Sequence, residues 1–143
     1  MDKKAILIVD DDPVFTRATS ARLTAEGFET ITAPDCSEAM SAIRLRKPDL
    51  IIVDLLYKPD VAHGGGVAWD GFLIVDWLRR MGSLTTTPVI LVTGSDPAPL
   101  ADRARKSKFV GLFHKGIEPD IFVATVHRIL GTTTATTAQQ PVE

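Results

Sequence analysis

Carboxylate side chains stand directly after two short apolar runs of this sequence. Asp10-Asp11-Asp12 follows the apolar run over 5–9, and Asp54 follows the run over 50–53. Two charges about 4 Å apart repel by roughly 4 kcal/mol at an effective dielectric near 20, so clustered carboxylates need a cation. Mg2+ suits such a site, because it takes one or two carboxylates, keeps waters and accepts phosphate oxygens. Aspartate is also a nucleophile that forms aspartyl phosphates. These residues therefore predict a magnesium-dependent phosphoryl-transfer site.

Two further polar groups complete the predicted site. Thr93 follows the apolar run over 89–92 and supplies a hydroxyl donor. Lys115 comes shortly after the run over 109–113 and supplies positive charge. A metal, a lysine and a hydroxyl around one carboxylate neutralise the transferring group and hold the nucleophile in line. Alone, Asp54 also fits a strand-end turn and Lys115 fits an exposed surface. The adjacent pair Asp10-Asp11 favours the shared site over both alternatives.

A parallel sheet would bring these groups together, because ligands bind at the carboxyl ends of its strands. The apolar runs are rich in Ile and Val, as is typical of strands that are buried on both faces. Helical patterns alternate with them, which predicts a doubly wound α/β fold. The predicted strands are 5–9, 28–33, 50–53, 89–92 and 109–113, and the predicted helices are about 13–26, 36–46, 71–81, 98–107 and 119–130.

Three of the predicted helices begin with an acidic residue followed by proline. These dipeptides are Asp12-Pro13, Asp96-Pro97 and Glu118-Pro119. An acid at the cap accepts hydrogen bonds from free backbone N–H groups, and proline at the first helical position removes one such group. We therefore interpret Asp12 as a helix cap in preference to a member of the acidic pocket.

Length and composition limit the functions that are open to the chain. Its 143 residues fit one domain, expected over 1–131, with a polar and disordered tail over 132–143. A net charge of −2 gives no basis for nucleic-acid binding by the whole molecule, and we expect no DNA-binding domain. The first apolar run is too short for a signal peptide or a membrane segment, which predicts a cytoplasmic protein.

Four segments resemble the signatures of response-regulator receiver domains of two-component signal transduction. They are ILIVDDDP over 6–13, DLIIVDL over 49–55, PVILVTGS over 88–95, and Lys115. The resemblance covers about residues 4–131 and identifies the chain as a stand-alone, single-domain member of the family. It implies the flavodoxin-like receiver fold, which is a five-stranded parallel sheet in the order 2-1-3-4-5 with five helices.

The resemblance also implies a role for each residue that matches. Asp54 would accept a phosphoryl group from a histidine kinase or a histidine phosphotransfer protein. Asp10, Asp11 and Asp54 would hold Mg2+, Asp11 directly and Asp10 through water. The backbone carbonyl of Leu56 would be a further ligand of the metal.

In the same family pattern, Thr93 and Lys115 would contact the phosphoryl oxygens. The chain would then catalyse only its own phosphorylation and dephosphorylation, so we expect a phosphoacceptor signalling protein and no separate enzymatic activity. Its signal would pass by protein contacts to a downstream protein that the sequence does not identify.

The sequence departs from the family pattern in three places. The short turn after the acceptor strand is expanded over 55–69, which predicts a functional or mobile loop. Leu112 stands where the family has an aromatic switch residue, and Phe113 should point to the other face of the strand. Gly116 stands where the lysine is usually followed by proline, so we expect a trans peptide bond and a looser loop.

Two other functions stay open at this point. The altered switch favours a receiver-like adaptor that binds partners without being phosphorylated, whereas the complete acidic site argues against it. A magnesium-dependent phosphohydrolase of similar fold usually carries Asp-x-Asp, which Asp54-Leu55-Leu56 lacks. A basic stretch around the fourth predicted helix is either a solvated face or a docking surface; it comprises Arg103, Arg105, Lys106 and Lys108.

Overall fold

Strands and helices alternate along the chain. The computed structural model describes residues 3–55, 71–80 and 86–133. The strands are β1 Ala5–Val9, β2 Glu29–Ala33, β3 Leu50–Asp54, β4 Val89–Thr93 and β5 Gly111–His114. The helices in these described ranges are α1 Pro13–Ala25, α2 Cys36–Arg46, α3 Gly71–Arg80, α4 Ala101–Lys106 and α5 Pro119–Leu130, with a 3-10 turn at Ala98–Leu100.

The strands form one parallel sheet in the order β2-β1-β3-β4-β5. The chain moves outward from β1 to β2 and then returns to the other side of β1, so its direction of winding reverses between β1 and β3. The carboxyl ends of these two strands lie side by side, with Val9 opposite Val53. The predicted fold is confirmed, and its topology brings Asp10 and Asp54 to one edge of the sheet.

The central strands bury both of their faces in two separate cores. One core combines alternate strand residues with side chains of α2, α3 and α4, and the other combines the remaining strand residues with side chains of α1 and α5. Leu7 and Ile51 belong to the first core, while Ile8 and Ile52 belong to the second; all four are fully buried. Each buried side chain of this size contributes roughly 1.5–3 kcal/mol, so the strand ends that carry the site are held by a close-packed sheet.

The predicted boundaries are least accurate between residues 98 and 111. A 3-10 turn precedes α4, and the helix itself ends at Lys106. Lys108 has a φ of 62°, and the backbone N–H of Phe109 donates to the carbonyl of Ala104. Phe109 therefore belongs to the helix-ending turn, and β5 begins at Gly111 rather than at residue 109.

Asp12 caps α1 as predicted, whereas Asp96 lies one residue before Pro97, the cap position of the 3-10 turn. The Asp12 carboxylate accepts from the backbone N–H groups of Val14 and Phe15, at 3.0 and 3.4 Å. Asp96 accepts from the N–H of Ala98 in the 3-10 turn. For Glu118 the predicted side-chain cap is wrong, because its side chain makes no capping hydrogen bond at the start of α5. The extra methylene of glutamate makes it a poorer cap than aspartate.

Some sequence predictions lie outside the described residues. These concern Leu56, the remainder of the loop over 56–70 and the tail beyond Thr133. Within the part of the chain that the structure describes, we find no helix with the length and apolar character needed to cross a membrane.

Candidate functional site

Asp10 is held at the carboxyl end of β1 by its backbone and by one carboxylate oxygen. Its N–H donates to the carbonyl of Ala33, which extends the pairing with β2 by one residue. Its Oδ1 accepts from the N–H of Asp12 at 2.9 Å. Asp10 is buried, so its other oxygen, Oδ2, faces the interior of the site with little access to solvent.

The structure brings three of the predicted carboxylates together. One carboxylate oxygen from each of Asp10, Asp11 and Asp54 lies within 4.8 Å of the other two. Asp10 and Asp54 are buried, whereas Asp11 is exposed. Asp54 is the last residue of β3 and pairs in register with Val92 of β4. The cluster is therefore fixed by the strand ends on its inner side and open to solvent on the side of Asp11.

Lys115 reaches across the edge of the sheet into this cluster. Its backbone N–H donates to the carbonyl of Thr93, which fixes the start of its loop on β4. Its ammonium nitrogen Nζ lies 2.7 Å from Asp10 Oδ2 and 3.4 Å from Asp54 Oδ2. The centroid of the Phe15 ring lies 4.8 Å from the same amine, a contact that no pattern in the sequence predicted. The lysine thus bridges two of the three carboxylates.

The pKa of Lys115 is set by opposing effects. Burial lowers it, but the close contact with the Asp10 carboxylate and the charges of Asp10 and Asp54 together raise the pKa above its ordinary value. A lysine with a raised pKa is cationic in the folded protein at neutral pH. Its electrostatic stabilisation is complete below the unfolded-state pKa and is lost only as the pH rises through the higher folded-state pKa.

Thr93 lies at the same edge but its hydroxyl is engaged locally. Thr93 is fully buried at the end of β4. Its Oγ1 accepts from the backbone N–H of Ser95 at 3.1 Å and shares a hydrogen bond with Ser95 Oγ at 3.0 Å. We predicted no role for Ser95. The hydroxyl-x-hydroxyl spacing of Thr93 and Ser95 is a signal for this local turn, since Ser and Thr side chains often bond the backbone two residues away.

The three carboxylates provide a site that could hold a metal ion. Within the described ranges, Asp10 Oδ2 is a buried oxygen that accepts no hydrogen bond of good geometry. Its close neighbour is the Lys115 ammonium, so the contact is an ion pair that leaves lone-pair directions of the oxygen open. Two buried carboxylates and an exposed one offer only oxygen donors, which fits a hard divalent cation that retains waters.

Gly71 packs directly on the end of β3. A Cβ atom at this position would lie 2.8 Å from the carbonyl oxygen of Asp54 and 3.1 Å from Cα of Leu55. The N–H of Gly71 donates to the carbonyl of Leu55 at 3.0 Å. This hydrogen bond joins Leu55 and Gly71, the described residues on either side of 56–70, next to the site. The absence of a side chain at Gly71 is what allows α3 to begin against β3.

We expect Gly71→Ala to lower the free energy of unfolding by about 1–3 kcal/mol, because the added methyl group meets backbone atoms that cannot rotate away. Gly94→Ala is a matched control, since a Cβ at Gly94 would meet no atom within 4 Å. Urea denaturation of both variants and of the wild type measures the difference. Equal stability of the two variants would show that α3 does not depend on this close approach.

The residues around Lys115 bear on two of the three departures from the family pattern. Leu112 packs against the core on the side of α4, and Phe113 packs on the other side of the sheet, as we predicted. The peptide bond before Gly116 is trans, in line with our expectation. The N–H of Gly116 donates to Nδ1 of His114 at 2.9 Å, which ties the loop back to β5.

Part of the basic stretch around α4 makes local contacts. The guanidinium of Arg103 lies 4.2 Å from the ring centroid of Phe72, and Arg105 forms an ion pair with Asp102. Lys106 is exposed at the end of the helix. The docking surface proposed for these residues stays a prediction.

A doubly wound sheet that gathers carboxylates and a lysine at its switch point defines a receiver-type domain. The chain belongs to the response regulator receiver domain family, whose sequence model matches residues 6–127. It is 28% identical over 128 residues to the polar-differentiation response regulator DivK of Brucella anthropi, a match that covers 90% of this chain and 97% of that protein.

Other relatives are longer than the segment they share with this chain. The DNA-binding response regulator MtrA of Mycolicibacterium smegmatis is 41% identical over 91 residues, which are 64% of this chain and 35% of MtrA. The probable transcriptional regulator ycf27 of Cyanophora paradoxa is 31% identical over 93 residues, which are 65% of this chain and 34% of that protein. The chain thus matches about a third of the length of these two relatives.

Solved structures agree with the fold. The chemotaxis protein CheY4 of Vibrio cholerae superposes with a TM-score of 0.75 at 23% identity, covering 90% of this chain and 99% of CheY4. NtrX of Brucella abortus superposes with a TM-score of 0.77 at 25% identity, covering 91% of this chain and 27% of the NtrX chain.

Proposed function

We propose that this protein is a phosphoacceptor of two-component signalling, in which Asp54 receives a phosphoryl group from a histidine kinase or a histidine phosphotransfer protein. The observation that carries the proposal is the position of Asp54. It is buried at the end of β3, within 4.8 Å of carboxylate oxygens of Asp10 and Asp11, with Lys115 Nζ 3.4 Å from its Oδ2. Membership of the receiver family supports the same assignment.

In the proposed reaction, a carboxylate oxygen of Asp54 bonds to phosphorus while the bond from phosphorus to the donor nitrogen breaks. The donor imidazole keeps the electron pair of that bond and takes up a proton. Mg2+ held by Asp10, Asp11 and Asp54 would neutralise charge on the transferring group. Lys115 would exchange its contact with Asp54 for one with a phosphoryl oxygen, and Thr93 would turn its hydroxyl from Ser95 to another phosphoryl oxygen.

Under this proposal the protein is a signalling protein of the cytoplasm. It acts on no separate substrate. The chain would promote only its own phosphorylation and dephosphorylation. Its output would be a change in the surface that a downstream protein binds. DivK, which this chain matches over nearly its whole length, supports a response-regulator role without supplying the identity of either partner.

Intact-mass measurement after incubation with acetyl phosphate and Mg2+ tests this proposal. We expect a gain of one phosphoryl group, and no gain when Mg2+ is chelated. The absence of any gain in both conditions would favour a phosphorylation-independent adaptor. Continuous turnover of phosphomonoesters would instead indicate a phosphohydrolase.

The replacement of the aromatic switch residue by Leu112 leads to a second expectation. Leu112 is a partly buried side chain packed in the core beside α4, so it offers no ring that could exchange between a buried and an exposed position. We expect phosphorylation to change hydrogen exchange only modestly over 97–113 and more strongly over the loop 55–69. Exchange measured by mass spectrometry on both forms tests this. Changes confined to 97–113, with 55–69 silent, would contradict it.

A further inference from the structure

The geometry points to Phe15 as a positioning residue for Lys115, a role that rests on the proposed function. The Lys115 ammonium lies between two kinds of neighbour. The carboxylate neighbours are Asp10 Oδ2 at 2.7 Å, Asp54 Oδ2 at 3.4 Å and Asp12 Oδ2 at 3.9 Å. The other neighbour is the ring of Phe15, with its centroid 4.8 Å from Nζ. The lysine side chain is only 19% exposed, so the carboxylates and the ring together confine it.

The start of α1 fixes the position of this ring. Asp12 caps the helix and accepts from the N–H of Phe15, which places Phe15 in the first turn beside the acidic cluster. The ring also packs on the core formed by α1, α5 and the sheet. The acidic run therefore has two structural consequences. Asp10 and Asp11 contribute carboxylates to the site, while Asp12 caps the helix that carries the Phe15 ring.

A cavity next to the Phe15 ring shows how the ring limits the movement of Lys115. The groove between α1 and α5 has a volume of about 290 Å3 and is lined by Phe15, Lys115, Ile117 and Phe122, among others. Lys115 already borders this space, so truncation of Phe15 would enlarge it and give the Lys115 side chain more room to move away from the carboxylates. The backbone after the lysine is Gly116, which restrains φ and ψ less than other residues do. The contact with the Phe15 ring therefore contributes more to holding the Lys115 side chain in place.

An aromatic ring is suited to this position because of how it attracts a cation. The face of the ring is negative, so it stabilises an ammonium group within about 6 Å. The ring has no lone-pair acceptor comparable to a carboxylate, and the N–H donors of Lys115 stay available for oxygen ligands. Phe15 can therefore hold the ammonium near Asp54 without competing with the phosphoryl oxygen that it must bind in the proposed reaction.

The test compares phosphorylation rates of variants with acetyl phosphate and Mg2+. We expect Phe15→Leu to lower the rate constant about two- to thirtyfold, the range to which the loss of a cation–π interaction corresponds. Phe15→Tyr keeps the ring face and should retain most of the rate. Phe122→Leu is the matched control, because Phe122 lines the same cavity but packs its ring against Phe113. We expect this control to phosphorylate at nearly the wild-type rate.

A double-mutant cycle on unfolding tests the contact independently of phosphorylation. Phe15→Leu, Lys115→Met and the double variant are unfolded in urea without Mg2+. We expect the double variant to lose less stability than the sum of the single changes, by at least about a twofold factor in the unfolding equilibrium constant. Additive effects would overturn the contact, and an unchanged rate for Phe15→Leu would overturn its positioning role. If Asp54 of the wild type accepted no phosphoryl group, the proposed function would fail together with this role, whereas the measured coupling would still report the contact.

Discussion

Asp54→Asn is expected to abolish the phosphoryl gain that the wild type shows with acetyl phosphate and Mg2+. The amide is nearly isosteric with the carboxylate but lacks the negative charge and the nucleophilic oxygen that aspartyl-phosphate formation requires. The variant should fold, because the change removes one of three clustered negative charges. Lys115 keeps its ion pair of 2.7 Å with Asp10. Intact mass, followed by peptide mapping of the modified site, measures the effect.

Asp49→Asn provides a control on the same strand. Asp49 precedes β3 at the opposite end from Asp54, and its Oδ2 accepts from the N–H of Ala5 at 2.8 Å. An asparagine can make the same acceptor contact, so this variant should fold and take up one phosphoryl group. Equal incorporation by Asp54→Asn and Asp49→Asn would place the acceptor at another residue and would remove the basis of the proposed function.

The strand ends that form the site could be predicted from the sequence because their strands are buried on both faces. β1, β3 and β4 are continuous apolar runs of five residues each, apart from the polar residues that end β3 and β4. A buried parallel strand has no polar face, so its end is marked by the first polar side chain. This is why Asp10, Asp54 and Thr93 could be placed at one edge before any distance was known.

The boundaries near β5 could not be predicted in the same way. Phe109 and Val110 are apolar and read as strand, yet Phe109 contacts Phe72 of α3 with ring centroids 5.3 Å apart. The positive φ of Lys108 ends the preceding helix, and a lysine gives no local signal for that conformation. Tertiary packing and a strained backbone position decided this boundary against the local pattern.

The side-chain contacts within the site could not be predicted from the sequence either. Lys115 Nζ lies 2.7 Å from Asp10 Oδ2 but 3.4 Å from Asp54 Oδ2, a difference that the spacing of the residues in the sequence does not determine. Phe15 has an ordinary helical apolar position in the sequence, so nothing distinguished its ring from other core residues. Spacing predicted which groups would meet, but not which oxygen the lysine would approach more closely.

The charge balance of the acidic cluster predicts an unusual effect on stability. Asp10, Asp11 and Asp54 carry three negative charges, with Asp12 Oδ2 also 3.9 Å from Lys115 Nζ, against the one positive charge of Lys115. Without a metal ion, the folded state stores repulsion that unfolding would relieve. Asp11 is exposed, so its share is screened by water and amounts to about 1 kcal/mol for a charge near 4 Å. Asp11→Asn should therefore make the metal-free protein more stable by about 1 kcal/mol.

The same substitution removes a ligand of the proposed metal site, so Asp11→Asn should gain little from Mg2+ and should lose Mg2+-dependent phosphorylation. A wild-type protein in Mg2+ at a hundredfold excess over Kd would gain about 2.7 kcal/mol. Thermal melts of both proteins, in chelator and in excess Mg2+, measure these opposite effects. Glu38→Gln is the control, because Glu38 is an exposed acid in the first turn of α2 and its loss should lower stability slightly. If Asp11→Asn melted below the wild type in chelator, or gained as much from Mg2+, Asp11 would not belong to a repulsive metal-binding cluster.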